Sequence, residues 1–223
     1  PLVLIASQLG TPQLGTQFPQ EVDFLKVYSE CTVFAQQINH PSEARRILTQ
    51  ACQAALNKRG VALVVVPVDV SSAEVPEGLP FNVHVPQPVV RPSDTELQAM
   101  AQLLTEGKKV AIYCGSGVEG AHDELIALAS KLKAPIGHTS RAKDFVEYDN
   151  PFNMGMTGLL GISSGYEMME QCDTLLLLGA DFAWSQFYPN KARIIQVDKE
   201  VMHLGRRHPV DLGVVGDIVP TLQ

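Results

Sequence analysis

The chain alternates continuous apolar runs with segments whose apolar residues recur every three or four positions. The runs PLVLIAS (1–7) and VALVVVPVDV (61–70) are typical of strands covered on both faces of a sheet. Between them, DFLKVYSECTVFAQQI (23–38) predicts a short helix and then a strand, and EARRILTQACQAALNK (43–58) predicts an amphipathic helix capped by Ser42. Strand, helix and strand with short links predict a parallel sheet.

Periodicity is lost between residues 71 and 92. Proline recurs throughout this stretch, at Pro76, Pro80, Pro86, Pro88 and Pro92. Such a density of proline favours an extended segment that runs over the surface. We therefore predict a linker at residues 71–92, which joins a first α/β region at residues 1–70 to a second region at residues 93–223.

The second region begins with Ser93 and Glu96, which form the S-x-x-E pattern of a helix capping box. Apolar runs then alternate with amphipathic segments, and we read residues 137–161 as one long loop. Five of the runs predict strands: KVAIYC (109–114), API (134–136), TLLLLG (174–179), RIIQVD (193–198) and LGVVG (212–216). This pattern predicts an α/β fold with a doubly wound, Rossmann-like parallel sheet.

Composition narrows the classes of function. The 223 residues are 45% hydrophobic and 18% charged, with a net charge of -7, which is typical of a soluble protein and gives no electrostatic reason to bind nucleic acid or an anionic membrane. The four cysteines are scattered, and no apolar run is long enough to span a bilayer. We expect reduced thiols in a cytoplasmic protein and no metal site. Because the chain starts on a predicted strand and stops as a helix begins, we expect a piece of a longer polypeptide.

The most recognisable short motif is GSGVEG (115–120), a G-x-G-x-x-G pattern that follows a predicted strand. In a nicotinamide-binding unit an acidic residue is expected about twenty positions later, but the sequence there reads GHTSRA (137–142). A carboxylate appears only at Asp198. The spacing therefore argues against a plain NAD site and leaves two alternatives: a loop for another nucleotide, or a tight turn without a ligand.

Several other groups are expected at the same edge of the sheet, where the parallel strands end. The Arg141 guanidinium could donate to a pyrophosphate or a flavin carbonyl, or form a surface salt bridge. Phe182 and Trp184 could shield a planar cofactor, or serve packing. Asp198 could accept hydrogen bonds from a ribose or adenine, or cap the segment that follows it. Thr157 lies within a run of glycines that suggests close approach to a flat or phosphorylated ligand.

Longer segments resemble a known family. CGSG (114–117), LLLLGADFAW (175–184) and FVEYDNPFNMGMTGLLGISSG (145–165) are similar to the middle domain of the thiamine-diphosphate-dependent pyruvate oxidases, and among these to the quinone-linked pyruvate dehydrogenases. The resemblance covers essentially the whole chain. It implies that residues 1–70 close a pyrimidine-binding domain and that residues 93–223 form an FAD-binding middle domain.

The resemblance also implies an activity. The intact enzyme would oxidatively decarboxylate pyruvate with thiamine diphosphate, Mg2+ and FAD, pass electrons to quinone or O2, and assemble as a homo-oligomer. The catalytic glutamate and the thiamine pyrophosphate motif would lie outside this chain, so the chain alone is expected to be inactive. Any membrane contact would come through a C-terminal region outside the chain. Two alternatives remain: an acetolactate synthase or carboligase with non-redox FAD, and a scaffold domain of a 2-oxo acid decarboxylase that binds no nucleotide.

The resemblance assigns cofactor contacts to six parts of the chain. Gln20 is placed near the active site, within Pro19-Gln20-Glu21, where the family often has Phe-Gln-Glu; this departure bears on substrate preference. The implied FAD contacts are Gly115, Ser116, Gly117, Thr139, Ser140, Arg141, Thr157, Gly158, Leu159, Leu160, Gly179, Ala180, Asp181, Phe182, Ala183, Trp184, Asp198, Asp217 and Ile218.

Overall fold

The computed structural model describes residues 1–75, 77–78 and 81–223. Pro76 and Pro80 of the predicted linker lie outside the described residues, as does Leu79. The chain divides into two compact units, Pro1–Gln87 and Pro88–Gln223. The assignment of the two regions to particular domains of a larger enzyme stays a prediction.

The first unit holds a parallel three-stranded sheet in the order β1-β3-β2. The predicted strand, helix and strand are present, although the last run divides into strand β3 and a helical turn, α3. Ser42 does not cap α2: it lies in the preceding turn, where its backbone N–H donates to the His40 side chain over 3.3 Å. The elements are β1 (Leu2–Gln8), α1 (Phe24–Val27), β2 (Phe34–Gln37), α2 (Ala44–Asn57), β3 (Val61–Pro67) and α3 (Val68–Ser71).

The coverage of β1 differs from the sequence prediction. Strand β3 lies in the middle of the sheet and is buried along most of its length. Strand β1 lies at the edge, where Leu2 is 56% and Ile5 is 62% exposed. The expectation of a strand covered on both faces is therefore right for β3 and wrong for β1 in this structure.

The second unit confirms the doubly wound α/β fold. Its six parallel strands follow the order β6-β5-β4-β7-β8-β9, which is the strand order typical of dinucleotide-binding sheets. The elements are α4 (Asp94–Glu106), β4 (Val110–Cys114), α5 (His122–Leu132), β5 (Ile136–His138), α6 (Lys143–Val146), β6 (Asn153–Met156), α7 (Ser163–Gln171), β7 (Thr174–Leu178), β8 (Arg193–Asp198), β9 (Leu212–Val215) and α8 (Ile218–Leu222).

One strand, β6, was not predicted. Its residues fall within 137–161, which we predicted to be one long loop. Asn153 and Gly155 are poor strand formers, so the sequence gives no sign of a strand there. Gly155 has a φ of +79°, and the pairing of β5 with β6 is irregular between Ile136 and Gly137. The predicted capping box is confirmed: Ser93 and Glu96 exchange side-chain to backbone bonds at the start of α4.

The strands β4 and β7 form the centre of this sheet and are fully buried. One face is covered by α4, α5 and α8, and the other by α7 with the residues that follow β7. The strand order reverses between β4 and β7, which makes this place the topological switch point of the sheet. A crevice at such a point is where ligands bind in open α/β sheets. No helix in the described residues is long and apolar enough to cross a bilayer.

Candidate functional site

The turn after β4 packs directly on the loop after β7. The Gly115 N–H donates to Leu178 O over 2.9 Å, and the Gly117 N–H donates to Gly179 O over 3.2 Å. A Cβ at Gly117 would lie 2.7 Å from the Gly179 Cα, and one at Gly115 would collide with the Gly179 carbonyl. Both N–H groups are therefore used within the protein, and the contact of these glycines with FAD stays a prediction.

The turn after β5 carries an open cationic group. The Thr139 N–H donates to Cys114 O over 2.9 Å, which ties this turn to the end of β4. Ser140 and Arg141 follow in a short turn of 3-10 helix. Arg141 is exposed, and none of the hydrogen bonds or ion pairs within the described residues involves its guanidinium. The salt-bridge alternative is not observed there, and five N–H donors face solvent beside the switch point.

The loop after β6 folds back on itself. The Gly161 N–H donates to Gly158 O over 2.9 Å, Gly158 has a φ of +107°, and a Cβ at Gly161 would lie 2.5 Å from the Thr157 Cα. The glycines of this loop are thus explained by its own geometry. The Thr157 hydroxyl is buried and has no hydrogen-bond partner in the described residues, whereas Leu159 and Leu160 are largely exposed.

The two aromatic residues of the loop after β7 differ in environment. Phe182 is 4% exposed and packs on Tyr113, with ring centroids 4.9 Å apart. It belongs to the core, so its expected role as a cover for a cofactor is not supported. Trp184 is 44% exposed, and a Cβ at Gly158 would lie 3.5 Å from its ring. Trp184 therefore offers apolar surface next to the loop after β6.

Asp181 is occupied by two arginines. Arg206 and Arg207 both donate to its two carboxylate oxygens, with Arg207 Nε 2.9 Å from Oδ1 and Arg207 Nη2 3.1 Å from Oδ2. The bond from Arg207 is the main cause that lowers the pKa of Asp181. Asp181 anchors the segment after β8 to the loop after β7, and its contact with a cofactor stays a prediction. Its neighbours Ala180 and Ala183 are buried and exposed, respectively.

Asp198 closes β8 and uses one oxygen within the protein. Its Oδ1 accepts from the Glu200 N–H over 2.9 Å and lies 3.2 Å from His203 Nδ1. The capping alternative is thus observed. The Oδ2 atom accepts no hydrogen bond from the described residues, so Asp198 can cap its loop and still present an acceptor to a ligand.

Asp217 and Ile218 are explained by the fold. Asp217 Oδ2 accepts from the Val90 N–H over 2.8 Å, and Oδ1 accepts from Lys199 Nζ over 2.9 Å. The bond from Val90 is the main cause that lowers the pKa of Asp217. Asp217 precedes α8 without making a side-chain cap bond, and Ile218 is buried. Each carboxylate oxygen of Asp217 thus accepts a bond within the protein. The contact of Asp217 and Ile218 with an adenosine stays a prediction.

Gln20 lies in a turn of the first unit and has a φ of +75°. The neighbouring Glu21 carboxylate accepts from the Gly15 N–H over 2.6 Å and the Gln17 N–H over 3.2 Å, which closes this turn. Gln20 is exposed and forms no side-chain bond with the described residues. Its placement near an active site stays a prediction.

Tyr113, on β4, is not among the site residues predicted from the sequence. Its ring is fully buried and its hydroxyl has no hydrogen-bond partner in the described residues. Burial raises the pKa of this phenol. Tyr113 and Thr157 carry the two unpaired buried side-chain polar atoms in the described part of the chain. Nothing in the strand pattern distinguishes Tyr113 from an ordinary core aromatic residue.

Two cavities are lined by residues other than the predicted cofactor contacts. A cavity of about 610 Å³ in the first unit is bordered by α2 and by Val75, Glu77, Gly78, Asn82 and His84. A cavity of about 240 Å³ in the second unit is bordered by α7 and residues 186–191. Below, the edge of the sheet where the strands end and the predicted cofactor residues lie is called the rim. The described residues contain no group of three or more His, Cys, Asp or Glu side chains that could hold a metal ion.

The strand order and the switch point define a Rossmann-like α/β unit. Residues 97–223, more than half of the chain, match the protein family described as "Thiamine pyrophosphate enzyme, central domain". The chain therefore belongs to the thiamine pyrophosphate enzymes.

Three proteins with similar sequences are each longer than this chain. An uncharacterised protein of Pseudomonas amyloderamosa is 43% identical over 100% of this chain and 57% of its own length. A Bacillus subtilis protein named for containing thiamine pyrophosphate is 30% identical over 97% of this chain and 38% of its own. The acetolactate synthase large subunit of Corynebacterium glutamicum is 30% identical over 97% of this chain and 36% of its own. The chain thus spans between about a third and about three fifths of these relatives.

Proposed function

We propose that the second unit binds FAD along the open rim of its sheet, within a thiamine diphosphate enzyme that oxidatively decarboxylates pyruvate. The family membership supports the thiamine enzyme, and the similarity of residues 145–165 to the quinone-linked pyruvate dehydrogenases supports the oxidase. The observation that carries the FAD site is a set of polar groups left unpaired at one edge of the sheet: the Arg141 guanidinium, the Asp198 Oδ2 atom and the Thr157 hydroxyl.

These groups match the chemistry of a flavin dinucleotide. A guanidinium binds the two phosphates as a planar fork of donors. A carboxylate oxygen accepts hydrogen bonds from ribose hydroxyl groups, as the acidic residue of dinucleotide-binding units does. A buried hydroxyl without a partner is costly unless a ligand satisfies it. The exposed side chains of Leu159, Leu160 and Trp184 supply apolar surface for a planar ring.

These contacts indicate which role each cofactor and each residue would have. When bound, FAD would supply the electron-accepting chemistry, and thiamine diphosphate with Mg2+ would supply the carbanion chemistry through regions outside this chain. The residues of this chain would hold the dinucleotide: Arg141 by its charge, Asp198 by one carboxylate oxygen. Asp181 would keep the loop after β7 in place through its two arginines. We further propose that the intact enzyme is a homo-oligomer.

A second candidate is an acetolactate synthase in which FAD has no redox role. It is favoured by relatives that carry this name, including those of Corynebacterium glutamicum and Methanocaldococcus jannaschii, at 30% and 27% identity. The same rim would then hold FAD as a structural cofactor. A domain that binds no nucleotide is the third possibility, and the free Arg141 and Asp198 Oδ2 argue against it.

Binding is tested on the chain itself by titration with FAD, followed by quenching of the flavin fluorescence. We expect saturable binding that Arg141→Ala weakens. Lys131→Ala, which removes an exposed cation from α5, is the matched control and should bind FAD normally. Absence of binding by the unaltered chain, or equal loss in both variants, would argue against the proposed site.

The reaction is tested on the polypeptide that contains this chain together with its neighbouring regions. Thiamine diphosphate, Mg2+ and pyruvate are added without oxygen, and the absorbance of oxidised flavin is followed. Loss of that absorbance supports the oxidase. Accumulation of acetolactate with the flavin still oxidised supports the synthase and overturns the oxidase.

A further inference from the structure

A buried histidine lies directly beneath the turn that carries Arg141. His138, the last residue of β5, is 1% exposed. Its Nδ1 atom lies 3.0 Å from Thr139 O, and its Nε2 atom lies 3.1 Å from Glu147 Oε1. Both ring nitrogens thus face oxygen acceptors, and a protonated Nε2 donates to the carboxylate. Buried polar groups are normally paired in this way, so His138 is fixed in orientation.

The bond from His138 to Glu147 closes a short loop of chain. His138 ends β5, and Glu147 directly follows α6, so the bond joins the two ends of the segment that contains Arg141. Within that segment, the Ala142 N–H donates to Thr139 O over 3.0 Å. A closed loop with internal bonds holds one conformation and reduces the ordering cost of ligand binding.

Glu147 has a second partner of a different kind. Its Oε2 atom lies 2.8 Å from Lys143 Nζ, and the Lys143 side chain is 62% exposed. The bond from Lys143 is the main cause that lowers the pKa of Glu147, so the carboxylate stays charged to a lower pH than an ordinary glutamate. An exposed pair of this type contributes little to structure, whereas the bond to His138 is shielded from water at the histidine.

We propose that His138 and Glu147 are a positioning pair, which holds the turn Thr139–Ala142 in the shape that presents Arg141 to the pyrophosphate of a dinucleotide. This inference rests on the proposed function, because it assigns Arg141 an anionic ligand. It adds two residues that do not touch the ligand. The resemblance to the pyruvate oxidases does not assign either of them a contact with the cofactor. The predicted contacts Thr139 and Ser140 then belong to the positioned turn.

Three substitutions separate the parts of this arrangement. Glu147→Ala removes both bonds of the carboxylate. Glu147→Gln keeps an amide oxygen that can still accept from His138 Nε2. Lys143→Gln removes the exposed ion pair and leaves the buried bond, so it is the matched control. Arg141→Ala serves as the reference for loss of the ligand contact itself.

Two measurements are made on each variant. Amide hydrogen exchange of residues 139–147 is measured without ligand, and dissociation constants are measured for FAD and for inorganic pyrophosphate. We expect Glu147→Ala to speed exchange in this segment and to weaken binding of both ligands about tenfold, as for loss of one charged hydrogen bond. Glu147→Gln should restore most of the affinity, and Lys143→Gln should bind within about twofold of the unaltered chain.

The outcomes separate this inference from the proposed function. If Glu147→Ala matches Lys143→Gln in exchange and in affinity, the positioning pair is wrong even where FAD binds and Arg141→Ala weakens it. If exchange rises but the affinity for both ligands is unchanged, the pair is structural and the inference is overturned. If FAD does not bind but pyrophosphate binds with the expected sensitivities, the FAD proposal fails and the pair stands. If neither ligand binds, both are overturned.

Discussion

Replacement of Gly115 by alanine tests whether the glycines after β4 serve the packing of two loops. The added Cβ would collide with the Gly179 carbonyl and lie 2.5 Å from the Ala180 Cα. Both neighbours are backbone, so no side chain can rotate away. The loop after β7 is also held by the bond of the Gly115 N–H to Leu178 O at 2.9 Å, which a shift of either loop would stretch.

The expected loss follows from these two effects. Overpacking a rigid site costs roughly 1–3 kcal/mol, and a weakened buried hydrogen bond adds about 0.5–1.5 kcal/mol. We therefore expect Gly115→Ala to lower the free energy of unfolding of the second unit by about 2–4 kcal/mol. With a urea dependence of about 2 kcal/mol per molar, the midpoint of unfolding should fall by about 1–2 M.

Trp184 provides the assay, because it is the one tryptophan of the chain and lies in the loop after β7. Its fluorescence is followed during urea unfolding without added cofactor. Gly213→Ala is the control, since its added Cβ would lie 3.2 Å from the flexible end of Leu204. If Gly115→Ala unfolds at the same urea concentration as Gly213→Ala, the two loops do not need glycine for their contact and the close approach is wrong.

Three further predictions concern single polar groups. Asp198→Asn should keep the cap on the Glu200 N–H but weaken FAD binding by about 1–3 kcal/mol, since a charged acceptor is lost; an unchanged dissociation constant would exclude Oδ2 as a contact. Asp181→Asn should lower stability at pH 7 but not at low pH: the folded-state pKa is depressed, so the contribution is lost as pH falls below about 4, and a stability difference that persists in acid-titration unfolding would contradict the arginine anchor. Thr157→Val should leave the free protein equally stable or more stable by up to about 1 kcal/mol and weaken FAD binding; a stability loss in thermal melts would show that the hydroxyl has a partner within the protein.

The sequence was sufficient for the elements whose pattern is local. Continuous apolar runs located β4, β7 and β8, because central parallel strands are buried on both faces and need apolar residues at every position. The S-x-x-E pattern located the start of α4, since a capping box depends only on residues within one turn. The α/β class then followed from the alternation of strands and helices.

Other features depend on contacts between distant parts of the chain. Strand β6 has an unfavourable sequence and forms because β5 offers it an edge. Ser42 is a suitable capping residue, but it lies within a turn of 3-10 helix that His40 caps, and Glu43 occupies the N-cap position of α2. The partners of Asp181 and Asp217 are 26 and 127 residues away in sequence, so no local pattern could show that these carboxylates are already used.

Contacts between distant parts of the chain also determine which predicted site residues remain available to a ligand. A carboxylate or a glycine N–H group near a strand end can form only a few hydrogen bonds. Bonds formed within the protein reduce the number left for a ligand. Asp181 and both glycines of the turn after β4 use theirs on neighbouring loops, although a family resemblance alone would have ranked them equally with Arg141. A polar atom that the fold leaves unpaired can bind a ligand without breaking a bond within the protein. Arg141 and Asp198 Oδ2 meet that condition, which is why the nucleotide proposal depends on them rather than on the glycine motif.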